Sequence, residues 1–429
     1  MTGAQEARPA MSDAQALLEI ARALGTTSNL DALLEMVIKY SMALLEAERA
    51  TLFLYDAGRE ELVSRIAEGT GEVRISVHTG IAGAAARSRQ SINIPDAYAD
   101  ERFNRTVDEK TGYRTRSILA CPLTDYEGGL VGVLQVLNKR GRPFDERDAA
   151  LAEAFSAQAG VALQRSHLLE AFLEKRRLEE SLRIAQEIQQ RLLPREAPAV
   201  AGFDLAVWNR PCDATGGDYC DFLPLGDGRV VLTLGDVSGH GVGPALVSCA
   251  ARAMLRCLAS LSDRVDEVMG RVNRLLSSDL PDNRFVTAFL GILDGKTGEL
   301  TFCSAGQGPL MWLHAAEGEV ETLGADGIPV GVMEEFVYGP PRQARLAAGD
   351  VFVLLTDGFY EWSRSDGEQF GLERAAAVLR QQRQAGAREI LVALRRAVEE
   401  FSDTRQTDDL TAIIIKRHEA RSAGGSATE

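Results

Sequence analysis

The chain lacks paired cysteines, long apolar runs and any basic stripe. Its six Cys stand apart at positions 121, 212, 220, 249, 257 and 303, and none forms a C-x-x-C pair. Neither a zinc site nor a disulfide framework is indicated, and scattered free thiols fit a reducing compartment. No apolar run approaches the ~20 residues that a membrane helix needs. The N-terminus lacks the basic-then-apolar layout of a secretory signal. A cytoplasmic location without membrane contact is therefore expected. The formal net charge of −15 argues against a nucleic-acid partner, whose binders carry a basic stripe. It also offers no basic anchor to an anionic membrane.

What is present is the composition of a globular protein. With 45% apolar and 25% charged residues the chain can build cores,. At 429 residues it is too long for one of them, so two domains and a connector are expected.

Residues 1–11 carry no periodicity and are expected to be disordered. Ser12-Asp-Ala-Gln15 reads as a capping box, followed by Leu17, Leu18, Ala21 and Leu24 at helical spacing. A second helical pattern covers 30–45. Strand-like runs follow at 50–55, 62–67, 73–77, 117–123 and 130–138. Helices followed by an antiparallel sheet make an α+β sensory layout. From Glu146 to Leu193 there is no Pro, and Gly160 is the one Gly, so a long helix is expected, stopped by Pro194. A heptad reading puts Leu168, Lys175, Leu182 and Gln189 at a, and Ala171, Leu178, Ala185 and Leu192 at d. That seam is weak: two of the a residues are polar and two of the d residues are only Ala. It reads as a dimerising signal helix or as a solvated spacer. Beyond it, strands are expected at 203–209, 217–225, 229–236, 287–293, 300–304, 309–313, 351–356 and 410–416. Helices are expected at 242–261, 265–278, 372–382 and 387–401.

One strand of this second region carries the chemistry. Leu232-Thr-Leu-Gly-Asp-Val-Ser-Gly-His-Gly241 is an apolar run that breaks into a Gly-rich turn with a carboxylate at its tip. Asp sits in comparable settings in Gly216-Gly-Asp-Tyr-Cys-Asp221, Leu355-Thr-Asp-Gly-Phe359 and Thr407-Asp-Asp-Leu-Thr411. A lone Asp in such a place is ordinarily a turn residue. Several that converge bind hard divalent cations, and two cations ~4 Å apart can hydrolyse a phosphate ester.

In their order, these motifs resemble the PPM (type 2C) metal-dependent protein phosphatases, in the bacterial branch of the sporulation and sigma-regulation phosphatases (SpoIIE/RsbU-like). Arg284-Phe-Val-Thr-Ala288, Ser304-Ala-Gly306, Gly327-Ile-Pro-Val-Gly331 and the run from Gly349 to Gly358 belong to the same pattern, which extends from about 203 to 417. The resemblance implies an α/β/β/α sandwich and hydrolysis of phosphoserine or phosphothreonine with two Mn2+ or Mg2+. It implies that Asp236 bridges the metals, that the Val237 carbonyl completes the first site, and that Asp357 and Asp408 hold the second. Asp218 would act through ordered water. Asp236 and Asp357 are the residues on which catalysis would depend. Asp409 competes with Asp408 as the ligand, and the motif alignment favours Asp408. His240 reads as a turn or supporting residue, with general acid as the other assignment. Arg210 reads as a phosphate contact or as a surface residue. Gln307 stands where relatives often have His and reads as structural. The implied substrate is a phosphorylated signalling protein, with an anti-sigma-factor antagonist as the candidate. The competing assignment is a catalytically silent phosphatase-fold scaffold that binds a partner.

The first region resembles a GAF domain. The matching residues are Gly80-Ile-Ala-Gly83, the run Asn93 to Asp100, Arg102-Phe-Asn104, Thr111 to Arg116 and Cys121-Pro-Leu123. Asn138-Lys139, Phe144 and Asp148 fit most of a cyclic-nucleotide GAF signature, whose final Glu is Ala149 here. The resemblance implies an internal Lys139–Asp148 ion pair. For the domain it leaves three roles open: a cyclic nucleotide site, a site for another small ligand, or a purely protein–protein or dimerising module. The boundaries expected are a GAF domain at 12–165, a helical linker at 166–194, a phosphatase domain at 195–418 and a disordered tail at 419–429. A homodimer is expected.

Overall fold

A computed structural model describes residues 13–27, 29–64, 73–281 and 284–419. The termini expected to be disordered, other than Glu419, lie outside the described residues, as does Ser12 of the capping box. The chain divides into two compact units between Arg177 and Leu178.

The first unit opens with α1 (Asp13–Thr26) and α2 (Leu30–Leu45). Asn29 caps α2 by accepting from the Ala32 N–H at 2.8 Å,. The elements that follow are β1 (Ala47–Asp56), β2 (Glu61–Ser64), β3 (Val73–Ser76), α3 (Gly80–Ser88), β4 (Ile92–Ile94), α4 (Arg105–Thr111), β5 (Ile118–Thr124) and β6 (Leu130–Lys139). The strands form one antiparallel sheet in the order β3-β2-β1-β6-β5-β4. α5 (Glu146–Leu192) begins in this unit. Leu24, Leu33, Val37 and Phe155 cover one face of the sheet, and Ile81 and Ala85 of α3 cover the other. α3 and α4 were not expected as helices; they run only 9 and 7 residues, too short to show periodicity. Lys139 Nζ lies 3.0 Å from Asp148 Oδ1, both side chains buried.

The second unit contains β7 (Phe203–Arg210), β8 (Tyr219–Pro224), β9 (Arg229–Val237), α6 (Val242–Ala259), α7 (Val265–Asp279), β10 (Val286–Asp294) and β11 (Glu299–Ala305). β12 (Leu310–His314), β13 (Glu319–Leu323), β14 (Arg342–Arg345), β15 (Val351–Leu355), α8 (Gly358–Glu361), α9 (Gly371–Gln381), α10 (Ala387–Phe401) and β16 (Leu410–Arg417) complete it. Two antiparallel sheets result, β14-β11-β10-β9-β8 and β13-β12-β15-β16-β7. Period-2 alternation builds three layers of core. On β15, Phe352 and Leu354 meet Phe289, Phe302 and Leu234 of the other sheet. Val351, Val353 and Leu355 face Leu379, Ile390 and Leu394 of α9 and α10. α6 and α7 cover the opposite sheet with Leu255, Val268 and Val272. The fold class is α+β, and the second unit is an α/β/β/α sandwich.

β13 and β14 were not expected. β13 is an exposed edge strand without a buried face, and β14 has only 4 residues, so neither alternates apolar with polar. α6 is long and apolar enough by composition to cross a membrane, which the apolar-run reading did not register. Here it packs Ala251, Leu255 and Ala259 into the core and pairs Arg252 and Arg256 with Asp221 of β8.

Candidate active site

Antiparallel pairing decides where the carboxylates fall. Tyr219 of β8 lies opposite Gly235 of β9, so Asp218, just ahead of β8, stands beside Asp236 and Val237 at the end of β9. Leu355 of β15 lies opposite Ala412 of β16, so Asp357 and Asp408 flank the same end of the second sheet. Hydroxyls join the two ends: Asp218 Oδ2 accepts from Thr356 Oγ1 at 2.8 Å and from Thr411 Oγ1 at 2.5 Å. Behind Asp236, Thr287 Oγ1 donates to Gln307 Oε1 at 2.7 Å, and Gln307 Nε2 donates to the Leu355 carbonyl at 2.9 Å. Gln307 therefore bridges the sheets at the level of the site.

Asp218 and Asp409 are buried, whereas Asp236, Asp357 and Asp408 are half-buried. Asp409 spends both oxygens on backbone, accepting from Cys212 N–H at 2.7 Å and Asp218 N–H at 3.2 Å. Close approach requires glycine here. A Cβ on Gly217 would lie 2.8 Å from the Val237 carbonyl oxygen and 3.2 Å from Asp236 Oδ1,.

The electrostatics are those of crowded anions. Burial, reinforced by the charges of Asp236 and Asp409, pushes the Asp218 carboxyl well above the carboxylate range. Burial and the charges of Asp357, Asp408 and Asp409 push Asp236 up to about 7. Burial and Glu361 raise Asp357, and burial raises Asp408. Asp218 and Asp236 lie within hydrogen-bond reach of each other.

Among the described residues no three His, Cys, Asp or Glu groups close tightly enough to hold a metal ion as their side chains stand. The fit to cations rests instead on chemistry. An all-oxygen set, whose groups are raised by burial and by one another's charge, suits hard divalent ions. A cation would remove the penalty that now raises every one of these groups.

Three residues stand elsewhere than the sequence reading put them or do more than it saw. Arg210 is held by partners within its own unit. It donates to Gln406 Oε1 at 2.7 Å and to Glu399 Oε1 at 2.6 Å, with Trp208 and Trp362 against its guanidinium. Its role is structural: Gln406 in turn donates to the Asp408 carbonyl at 2.7 Å. Gln189, read as a polar heptad position, is buried and donates to the Gly216 carbonyl at 2.6 Å while accepting from the Gly216 N–H at 3.1 Å. His240 pairs with Asp213, Nδ1 to Oδ2 at 2.8 Å. The signal for Gln189 was a polar residue on the buried stripe just ahead of Leu-Leu-Pro. Asp213 gave none.

Residues 226–418 match the family model for stage II sporulation protein E (SpoIIE), and residues 29–163 match the model for the GAF domain. The PP2C domain of SiaA from Pseudomonas aeruginosa is similar in structure, with a TM-score of 0.51 and 26% identity, over 57% of this chain and 98% of that one. The RsbU and RsbW domains of Rv1364c from Mycobacterium tuberculosis give a TM-score of 0.43 and 30% identity, over 52% and 61%. Among curated proteins, the probable 3',5'-cyclic phosphodiesterase pde-5 of Caenorhabditis elegans is 35% identical over 187 residues, 40% of this chain and 25% of that protein. The dual 3',5'-cyclic-AMP and -GMP phosphodiesterase 11 of Drosophila melanogaster is 33% identical over 179 residues, 37% of this chain and 12% of that protein. The chain thus spans a quarter or less of these curated relatives.

Proposed function

We propose, for a chain that carries a GAF domain and a SpoIIE-type domain of the PPM phosphatases, that it hydrolyses phosphoserine or phosphothreonine on a signalling protein under control of the GAF domain. The family is metal-dependent. The observation that carries the reading is the convergence of buried Asp218 and half-buried Asp236, Asp357 and Asp408 at strand ends of two sheets, with every carboxyl raised by burial and further by neighbouring carboxylates.

Asp236 with the Val237 carbonyl would hold one cation, and Asp236, Asp357 and Asp408 a second, with Mn2+ or Mg2+ as the ions to test. Bound cations would supply the positive charge that draws in a phosphate dianion and would acidify a water. Asp409 is committed to two backbone N–H groups, which favours Asp408 as the ligand. The half-buried carboxylates leave the site open on one side, as a phosphorylated side chain on a folded protein requires. A phosphorylated anti-sigma-factor antagonist is the substrate we would test, on family resemblance. Similarity to cyclic nucleotide phosphodiesterases makes a cyclic nucleotide the ligand to try on the GAF domain. A cytoplasmic homodimer remains our reading of the whole.

The test is Mn2+- and Mg2+-dependent hydrolysis of a phosphoserine protein and of p-nitrophenyl phosphate by the full chain, with and without cAMP or cGMP. Turnover that needs the metal and falls to background in Asp236→Asn and Asp357→Asn is expected. Metal-independent turnover, or none with either ion, would sink the assignment and favour a binding scaffold.

A further inference from the structure

We infer that Asn209 is a positioning residue for Asp218, acting through the hydroxyl of Thr411; this rests on the metal-site reading above. Asn209 of β7 lies directly opposite Thr411 of β16, and its Nδ2 donates to Thr411 Oγ1 at 2.7 Å. Thr411 Oγ1 in turn meets Asp218 Oδ2 at 2.5 Å. Thr356 Oγ1 reaches the same oxygen at 2.8 Å and accepts from the Thr411 N–H at 2.9 Å. Asp218, Thr356 and Thr411 are each no more than 2% exposed. Asp218 stands just ahead of β8, in one sheet, and the two hydroxyls belong to the β15–β16 end of the other. The carboxyl is thus cradled from across the gap between the sheets.

The direction of each hydrogen bond gives Asn209 its part. A hydroxyl has one proton and two acceptor lone pairs, and a carboxylate only accepts. Cation binding requires the carboxylate form. Oδ2 therefore needs both hydroxyl protons turned toward it. At each hydroxyl an N–H occupies the acceptor side: the Thr411 N–H at Thr356, and Asn209 Nδ2 at Thr411. The first is backbone, set by the β15–β16 ladder. The second is a side chain, so at Thr411 the direction of the proton depends on residue identity. An oxygen in place of Nδ2 would draw that proton back toward β7 and away from Asp218.

The cradle decides what Asp218 can offer. The terminal torsion of an Asp side chain is broad and roughly two-fold, so the carboxyl plane is fixed by its contacts and not by its own rotamer. Two donors on Oδ2 fix it here. Oδ1 is the oxygen outside the cradle, on a carboxyl that lies within hydrogen-bond reach of Asp236. Asp218 thus presents one oriented oxygen to the cation site and keeps the other for the second sheet. Outer contacts of this kind tune the affinity of a metal site without touching the ion.

The test is calorimetric Mn2+ titration of the full chain. Asn209→Asp keeps the shape and replaces the donor by an acceptor, and Mn2+ affinity is expected to fall roughly 10–100-fold. Charge alone predicts the reverse, since an added anion attracts the cation. Asn209→Leu removes the donor without offering an acceptor, so it is expected to lose less than Asn209→Asp. A residue that only filled space would invert that order. Thr411→Val is expected to lose about as much as Asn209→Asp, whereas Thr411→Ser, which keeps the hydroxyl, stays within about threefold of wild type. Asn209→Asp combined with Thr411→Val is expected to lose no more than Thr411→Val alone, because both act on one proton. Unchanged or tighter Mn2+ binding in Asn209→Asp, the inverted order, or additive losses in the double variant would overturn the role. Should Asn209→Asp fail to fold, wild-type affinity in Asn209→Leu, or equal affinities in Thr411→Ser and Thr411→Val, would overturn it. A wild-type chain that binds no Mn2+ would remove the metal-site reading itself, and that is seen before any variant is made.

Discussion

Gln189 grips both backbone polar atoms of Gly216 through its own amide, donating at 2.6 Å and accepting at 3.1 Å. Its amide nitrogen also lies 3.4 Å from Ser248 Oγ of α6. One side chain on α5 thus fixes the loop that carries Asp218 and touches the helix that follows the Asp236 turn. Gln189→Ala would leave two buried backbone groups unpartnered, at about 1–3 kcal/mol each. We expect the variant to fold, and its Mn2+ requirement to rise by roughly 10–100-fold, as for other outer contacts that orient ligands. Calorimetric Mn2+ titration of both proteins checks this; equal affinities would mean the grip is irrelevant to the site.

Gly217→Ala tests how tightly the turn is seated. The new Cβ meets a backbone carbonyl, that of Val237, at 2.8 Å, and a carbonyl cannot swing aside as a side chain can. Phosphatase activity should be lost with little change in the melting temperature of the first unit. Activity within a factor of about two of wild type would show that the loop yields by the few tenths of an ångström that overpacking demands.

Gln307→Leu removes the bridge between Thr287 and the Leu355 carbonyl. Both former partners lose a buried hydrogen bond, so the second unit should lose about 1–3 kcal/mol. Urea unfolding followed by Trp fluorescence reads it. Wild-type stability would mean that the two sheets hold their spacing by apolar packing alone.

Without metal, the site should make the protein acid-tolerant. The Asp236 carboxyl rises from about 3.9 unfolded to about 7 folded. Its contribution is fully present below the unfolded value and is lost as pH rises through the folded one. Melts in EDTA should therefore fall between about pH 4 and 7 relative to a variant with Asp236→Asn,. Mn2+ at 100 times its Kd should restore about 2.7 kcal/mol at the upper pH. A melt that rises with pH in both proteins would contradict the crowding.

The Lys139–Asp148 pair of the first unit behaves the opposite way. Burial would raise Asp148, but hydrogen bonds from the Asp145 N–H, Lys139 and Arg142 outweigh it and hold the carboxyl low. Its stabilisation is present above the unfolded value of about 3.9 and fades as pH falls through the lower folded one. Lys139→Met should cost somewhat less than the ~3–5 kcal/mol of a broken buried pair, because Arg142 still reaches Asp148 at 2.7 Å. Differential scanning calorimetry of the first transition at pH 7 and pH 3 measures both effects.

Much of this was readable in residue order. The continuous apolar runs around Leu232 and Val351 announced strands, and the Gly-rich breaks after them announced where carboxylates would emerge. α5 was visible as a stretch without Pro and ended one residue short of the expected boundary, at Leu192. Arg210 was open between a phosphate contact and a surface residue because a cation near a carboxylate motif can point either way along its strand. Its partners Glu399 and Gln406 lie far along the chain, and nothing local names them.

The sequence by itself announced the longer elements and suggested an ion chemistry: apolar runs set which segments are buried, and oxygen-only side chains set which ions would suit them. Tertiary structure alone decided which groups meet. Asp218 finds Thr356 and Thr411, Gln307 finds Leu355, Gln189 finds Gly216 and His240 finds Asp213 through contacts between residues 27 to 193 positions apart. Such contacts depend on sheet register and on the packing of one sheet against the other. Neither leaves a periodic trace in the order of residues.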